Sequence, residues 1–153
     1  MRAVLQRCTR GAVSINGETV GAVGQGFVLL LGIRTGDTAA ECDYLLEKIL
    51  HLRVFEDAEG RLNRSLLDIG GELLIISQFT LYADCKKGRR PSFGTAARPE
   101  EAVPLYERFL LQAKGHGVPV QSGVFGAVMQ VSIENDGPVT ILLDTEELMP
   151  GKK

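Results

Sequence analysis

Ser77, Thr80 and Cys85 are the hydroxyl and thiol groups that stand at the end of a strongly apolar run, in the segment SQFTLYAD and immediately after it. Covalent chemistry at any of them needs a positioned base. The chain has two histidines: His51 falls at the end of a predicted amphipathic helix, where a cation complements exposed carbonyls, and His116 lies between two glycines. Neither is spaced to activate a nucleophile. The basic neighbours of Cys85 would favour its thiolate, yet an incidental surface cysteine is the plainer reading. Asp84, Asp136 and Asp144 hold turn and strand-end positions that aspartate takes for local hydrogen bonding, so no acid/base pair follows from spacing. With no His/Cys cluster there is no metal site, and no phosphate loop or other cofactor signature is present.

A second segment, NDGPVT at residues 135–140, carries a different kind of signal. A glycine before proline leaves carbonyl and amide groups uncovered, which suits recognition of a ligand by backbone. The sequence leaves the isomer of the Gly137–Pro138 bond open.

The elements that must position these segments are legible from periodicity. At 153 residues the chain fits one domain, residues 1–153, with a real core. A net charge of −2 gives no global reason to expect nucleic acid, and the one dense basic patch is Lys86, Lys87, Arg89 and Arg90. Three cysteines without C-x-x-C spacing, and an N-terminus without a long apolar core, predict a cytoplasmic protein. The apolar run at residues 27–33 is too short to span a bilayer.

Residues 1–10 and 12–15 with Asn16-Gly17 predict an opening antiparallel hairpin. Residues 27–33 predict a buried strand, and Thr38-Ala39-Ala40-Glu41 a capping box opening a helix through Leu52. Val54-Phe55 and the turn at 57–60 predict a short hairpin; residues 65–71 stay unassigned. A long strand is expected over 72–84, which would set Ser77 and Thr80 on opposite faces. A second helix is expected from near Pro99 to Lys114, with Pro104 requiring a start near Glu101 or an irregular first turn. Strands at 118–121, 127–134 and 139–144, the last two joined by a turn at 135–138, complete the chain. The grouping predicts an α+β fold with a curved, mainly antiparallel, barrel-like sheet and two packed helices.

SQFTLYAD, the loop KKGRRPSF at residues 86–93, NDGPVT and the opening MRAVLQRCTRGAVSINGETVG together resemble the D-aminoacyl-tRNA deacylase family over essentially the whole chain. The resemblance implies hydrolysis of the ester joining a D-amino acid to tRNA, with glycine mischarged on tRNA-Ala as a possible further substrate. It implies no cofactor, and a homodimer with active sites at the interface. Ser77, Gln78, Phe79 and Thr80 would line the pocket. Gly137 and Pro138 would enter in cis form from the other subunit, with Arg7 helping to hold that motif. Phe125 and Met129 match positions expected near the terminal adenosine and its aminoacyl group, and Lys86, Lys87, Arg89 and Arg90 would meet tRNA phosphate. A module that holds RNA without turning it over, and a purely structural homodimer, stay open beside this reading.

Overall fold

The computed structural model describes residues 1–151. Its organising strand is β1 (Arg2–Ile15), which turns at Asn16 and Gly17, both at positive φ, into β2 (Glu18–Val23). Ile15 pairs with Glu18, so the loop is the two-residue hairpin that Asn-Gly favours. β3 (Gly26–Gly32) returns along the first half of β1, antiparallel, with Arg7 opposite Phe27. From there the sheet continues by parallel pairing to β6 (Glu72–Ser77) and then β7 (Val120–Ser122). β2 packs against β6 and β7, so the mixed sheet is nearly closed.

The capping box at Thr38 is complete: its hydroxyl accepts from Ala40 N, and Glu41 reaches back to the Thr38 amide at 2.6 Å. It opens α1 (Ala39–His51). A minimal hairpin of β4 (Phe55–Glu56) and β5 (Leu62–Arg64) follows. Residues 65–71, unassigned by periodicity, form α2 (Leu66–Ile69), capped reciprocally by Ser65 and Asp68 and ended by Gly70 in the left-handed region. The second long helix, α3 (Pro99–Gly115), starts at its first proline and keeps Pro104 inside. The carbonyl this costs belongs to solvent-exposed Glu100, so water can satisfy it. Arg108 on α3 holds Asp43 on α1 through two bonds of 2.8 and 2.7 Å, and this guanidinium keeps the Asp43 carboxyl below the usual carboxylate range.

β3 and β6 are apolar at nearly every position because both of their faces are covered. Phe27, Leu29, Leu31, Leu73 and Ile75 meet Leu45, Leu46, Ile49, Tyr106 and Phe109 of the helices, while Val28, Leu74 and Ile76 join Cys8, Val13 and Val23 in a second cluster. The α+β class and barrel-like curvature expected from the sequence are therefore present.

Two differences from the sequence reading bear on the site. β6 stops at Ser77, and a 3-10 turn at Phe79–Tyr82 replaces the predicted strand continuation. Residues 130–144 form one continuous strand, β8 (Gln130–Asp144), in place of two strands and a turn. β8 runs along β1 for most of its length, carries no strand on its other edge among the described residues, and leads into α4 (Thr145–Leu148).

The start of β3 has no room for a side chain: a Cβ on Gly26 would lie 1.9 Å from the Glu72 carbonyl oxygen. Gly26→Ala is expected to lower unfolding free energy by about 3 kcal/mol or more, whereas Gly94→Ala, in open space, stays within about 0.5 kcal/mol. Urea denaturation of the two variants checks this; equal midpoints would refute the close β3–β6 approach.

Candidate active site

Ser77 ends β6, and the next amide, Gln78 N, donates to Leu31 O at 2.8 Å, so the chain is still tied to β3 when it leaves extended geometry. It then folds back across Gly32, where an added Cβ would meet Leu81 Cβ at 3.0 Å and Gln78 O at 3.1 Å. Gln78 precedes this turn, and its side chain accepts from none of the turn's amides. The first amides of a helical turn have no partner within it. Among the described residues no acceptor takes the N–H groups of Phe79 and Thr80.

Phe79, the first residue of this turn, lines a cavity of about 260 Å3. Ser77, Gln78 and Phe79 form one wall; Phe125 and Met129 stand in another, over an apolar floor that includes Leu31 and Ile76. Phe125 lies 5.8 Å from the ring of Tyr106, whose hydroxyl donates to Ile75 O at 3.0 Å. Burial pushes that hydroxyl up to about 12, so it remains a donor and anchors the wall. Phe79 is 56% exposed and edge-on to Phe93 at 5.0 Å, which is a large apolar surface at a cavity mouth.

Among the described residues that line the cavity there is no histidine, cysteine or carboxylate. Thr80 does not line the cavity; its Oγ1 accepts from Gln78 Nε2. The expected opposition of Ser77 and Thr80 across a regular strand does not arise, because the strand has ended. His51 and His116 both approach Glu47, at 3.4 and 3.2 Å, near the C-terminal ends of α1 and α3. Cys8 and Cys42 are buried, and burial pushes the Cys42 thiol up to about 12, far from reactive. Among the described residues no cluster of histidine, cysteine and carboxylate could hold a metal.

Gly137 and Pro138 are placed elsewhere. Gln6 pairs with Thr140 and Cys8 with Asn135, so residues 136–139 of β8 stand opposite Arg7 alone and bulge from the ladder. Gly137 has φ +118 and the Gly137–Pro138 bond is cis. Beneath the bulge lies Arg7, 4% exposed, with Nε donating to Asp136 O at 3.1 Å and Nη1 to Val54 O at 2.8 Å. The carboxylates of Asp136 and Glu56 stand 3.4 and 3.8 Å from the guanidinium. Spacing could not have revealed these partners, which are 129 and 47 residues from Arg7. Along β3, Arg7 is level with Phe27 and Ser77 with Leu31, a separation of four residues or about 13 Å. Within one chain the bulge and the cavity are thus apart.

The basic loop is closed by reciprocal bonds between Asp84 and Ser92 of 2.7 and 2.9 Å. Lys86, Lys87, Arg89 and Arg90 project from it, exposed, and take no ion-pair partner among the described residues.

A family model described as D-Tyr-tRNA(Tyr) deacylase matches residues 4–144. The D-aminoacyl-tRNA deacylase of Thermus aquaticus is 57% identical over 153 residues, covering all of both chains. That of Desulfitobacterium hafniense strain Y51 is 52% identical over 96% of this chain and 99% of its own. A solved structure described as c-Myc DNA Unwinding Element Binding Protein superposes with TM-score 0.88 at 45% identity, over 94% of this chain and 98% of that one. One described as a probable eukaryotic D-amino acid tRNA deacylase gives TM-score 0.80 at 22% identity over 93% and 97%, a likeness of fold.

Removing the guanidinium should leave the Asp136 and Val54 carbonyls without their charged donor. Arg7→Met is expected to cost about 3 kcal/mol, read from urea unfolding. A change below about 0.5 kcal/mol would mean that the bulge holds its shape without Arg7.

Proposed function

The chain belongs to the D-Tyr-tRNA(Tyr) deacylase family, and from that membership we propose that it cleaves D-aminoacyl-tRNA by backbone groups and substrate assistance, without a side-chain nucleophile. The observation that carries this reading is the pair of unengaged amides, Phe79 and Thr80, in a turn whose first residue lines a cavity that holds no histidine or thiol. An aminoacyl ester is already activated. Water attacks its carbonyl carbon, the neighbouring ribose 2′-hydroxyl assists, and the carbonyl oxygen takes negative charge between the two N–H groups. Collapse breaks the bond to the ribose 3′-oxygen, which leaves with a proton, releasing the D-amino acid and tRNA. Each such donor contributes a few kcal/mol, on the order of 3, in a dry site.

Ser77 and Gln78 position the ester from the cavity wall. Thr80 takes part through its amide, and its hydroxyl, bonded to Gln78, steadies the turn. Phe125 and Met129 receive the terminal adenosine and its aminoacyl group. The exposed apolar face of Phe79 fits the same end of the substrate.

Chirality is set by exclusion. Gly137 and Pro138 of the partner subunit reach the cavity in a homodimer, and their carbonyls accept the substrate's amino group, so that an L side chain meets backbone. Two facts favour a contribution across subunits: the bulge stands clear of the cavity in its own chain, and both residues are exposed there. Glycine, having no side chain, escapes this exclusion, so glycyl-tRNA formed on tRNA-Ala is a second substrate. Lys86, Lys87, Arg89 and Arg90 bind tRNA phosphate in the cytoplasm, the compartment of aminoacyl-tRNA. No described helix is long and apolar enough to cross a membrane.

A nucleic-acid-binding module is the second reading, favoured by the description of the 45% identical structure and by the unpaired basic loop. Incubation with D-tyrosyl-tRNA and L-tyrosyl-tRNA separates the two. Hydrolysis of the D form alone is expected; hydrolysis of neither supports the binder, and equal hydrolysis of both removes stereospecific deacylation. Thr80→Ala is expected to keep kcat within about tenfold of the unsubstituted protein. Complete loss of turnover with fold and tRNA binding intact would point to Thr80 as a nucleophile.

A further inference from the structure

Beside the active cavity lies a second cleft of about 430 Å3 whose charged groups the ester chemistry does not use. Arg2, Arg34, Tyr82, Lys86, Thr95 and Glu146 face it. The two hollows share a wall. Arg34 bridges Ala96 antiparallel, Thr35 N donates to Thr95 O at 3.0 Å, and Ala97 N donates to Ile33 O at 2.9 Å. Ala97 and Ile33 line the active cavity, and Thr95 and Arg34 line the cleft. One short stretch of paired backbone thus separates the cavity from the cleft, and Lys86, where the basic loop begins, lines the cleft.

Its two arginines differ in freedom. Arg2 is fixed three ways, by Asp144 at 2.8 Å, by Leu81 O at 2.8 Å and by the face of Tyr82 at 4.5 Å. Among the described residues the Arg34 side chain has a single partner, the Glu146 carboxylate, and both members of that pair are about two-fifths exposed, 38% and 40%. An ion pair so open to water is weak and screened by salt. A phosphate diester, which a guanidinium grips through two parallel N–H bonds, is a stronger partner than such a carboxylate. Asp84, the other carboxylate at the cleft, is engaged with the Lys86 amide at 2.9 Å.

We propose that this cleft is a subsite for a backbone phosphate of the tRNA acceptor strand, in which Arg34 exchanges Glu146 for the phosphate. Glu146 is then a resident competitor that weakens binding of substrate and product alike. The proposal rests on the reading of the neighbouring cavity as the aminoacyl pocket.

Steady-state kinetics of the full chain on D-tyrosyl-tRNA and on D-tyrosyl-adenosine, which has no acceptor strand, test it. Arg34→Ala is expected to raise the ratio of the two KM values (tRNA over adenosine) about tenfold, and to reduce the salt dependence of tRNA binding by about one phosphate contact. Glu146→Gln, which keeps the side-chain shape, is expected to lower the same ratio about threefold. Should Arg34→Ala fail to fold, Glu146→Gln still decides. An unmoved ratio, or a Glu146→Gln variant that binds tRNA more weakly, overturns the subsite while leaving the aminoacyl pocket in place. Failure of the unsubstituted protein to cleave either ester overturns the pocket reading itself.

Discussion

A guanidinium buried under a strand bulge is the interaction on which the rest of the architecture turns. Desolvating Arg7 is unfavourable by several kcal/mol unless its N–H groups are satisfied. Here they are met by carbonyls from two distant segments, Asp136 and Val54, with two carboxylates close by. The same contacts make the bulge a defined shape, because four residues of β8 must close over one residue of β1 at a fixed height. A Cβ on Gly137 would come within 2.9 Å of Arg7 Nη2, so the backbone above the cation is held at a distance only glycine allows.

The cavity has a complementary logic. β3 and β6 are packed on both faces and cannot shift without disturbing two clusters of buried side chains. The turn that leaves β6 inherits that rigidity through the Gln78–Leu31 bond, so its amides are set in place before any ligand arrives. Donors fixed in this way need no reorganisation when charge develops beside them. Among the described residues no imidazole or thiol lines the cavity, and Cys8 and Cys42 are buried away from it in the core.

How much of this was legible in the chain depends on whether the cause was local. The Asn16-Gly17 hairpin and the Thr38 capping box are set by residues within a few positions of one another, and both formed as the pattern required. The reciprocal Ser65 and Asp68 cap is equally local, but the helix after it has only four residues, too few to show a period. The end of β6 at Ser77 had no local mark, since Gln78-Phe79-Thr80-Leu81 alternates as a strand would, and it is the fold-back over Gly32 that overrides the pattern. The turn expected at residues 135–138 was half right. Its composition did signal departure from a regular strand, but the strand resumes on the same line because Arg7 fills the space beneath. The cavity wall of Ser77, Gln78 and Phe79 with Phe125 and Met129 followed the family resemblance, whereas Tyr106 as its anchor had no signal beyond helical periodicity.

The outer edge of β8 is long, and among the described residues it offers a row of main-chain groups with no strand beside it. Long flat edges invite other chains to add to them. The bulge divides this one into two short runs, residues 130–134 and 140–144, with a proline that has no N–H to offer between them. The kink at Gly137 and Pro138 thereby protects the protein against indiscriminate sheet growth, and a change that straightened it would be felt in solubility.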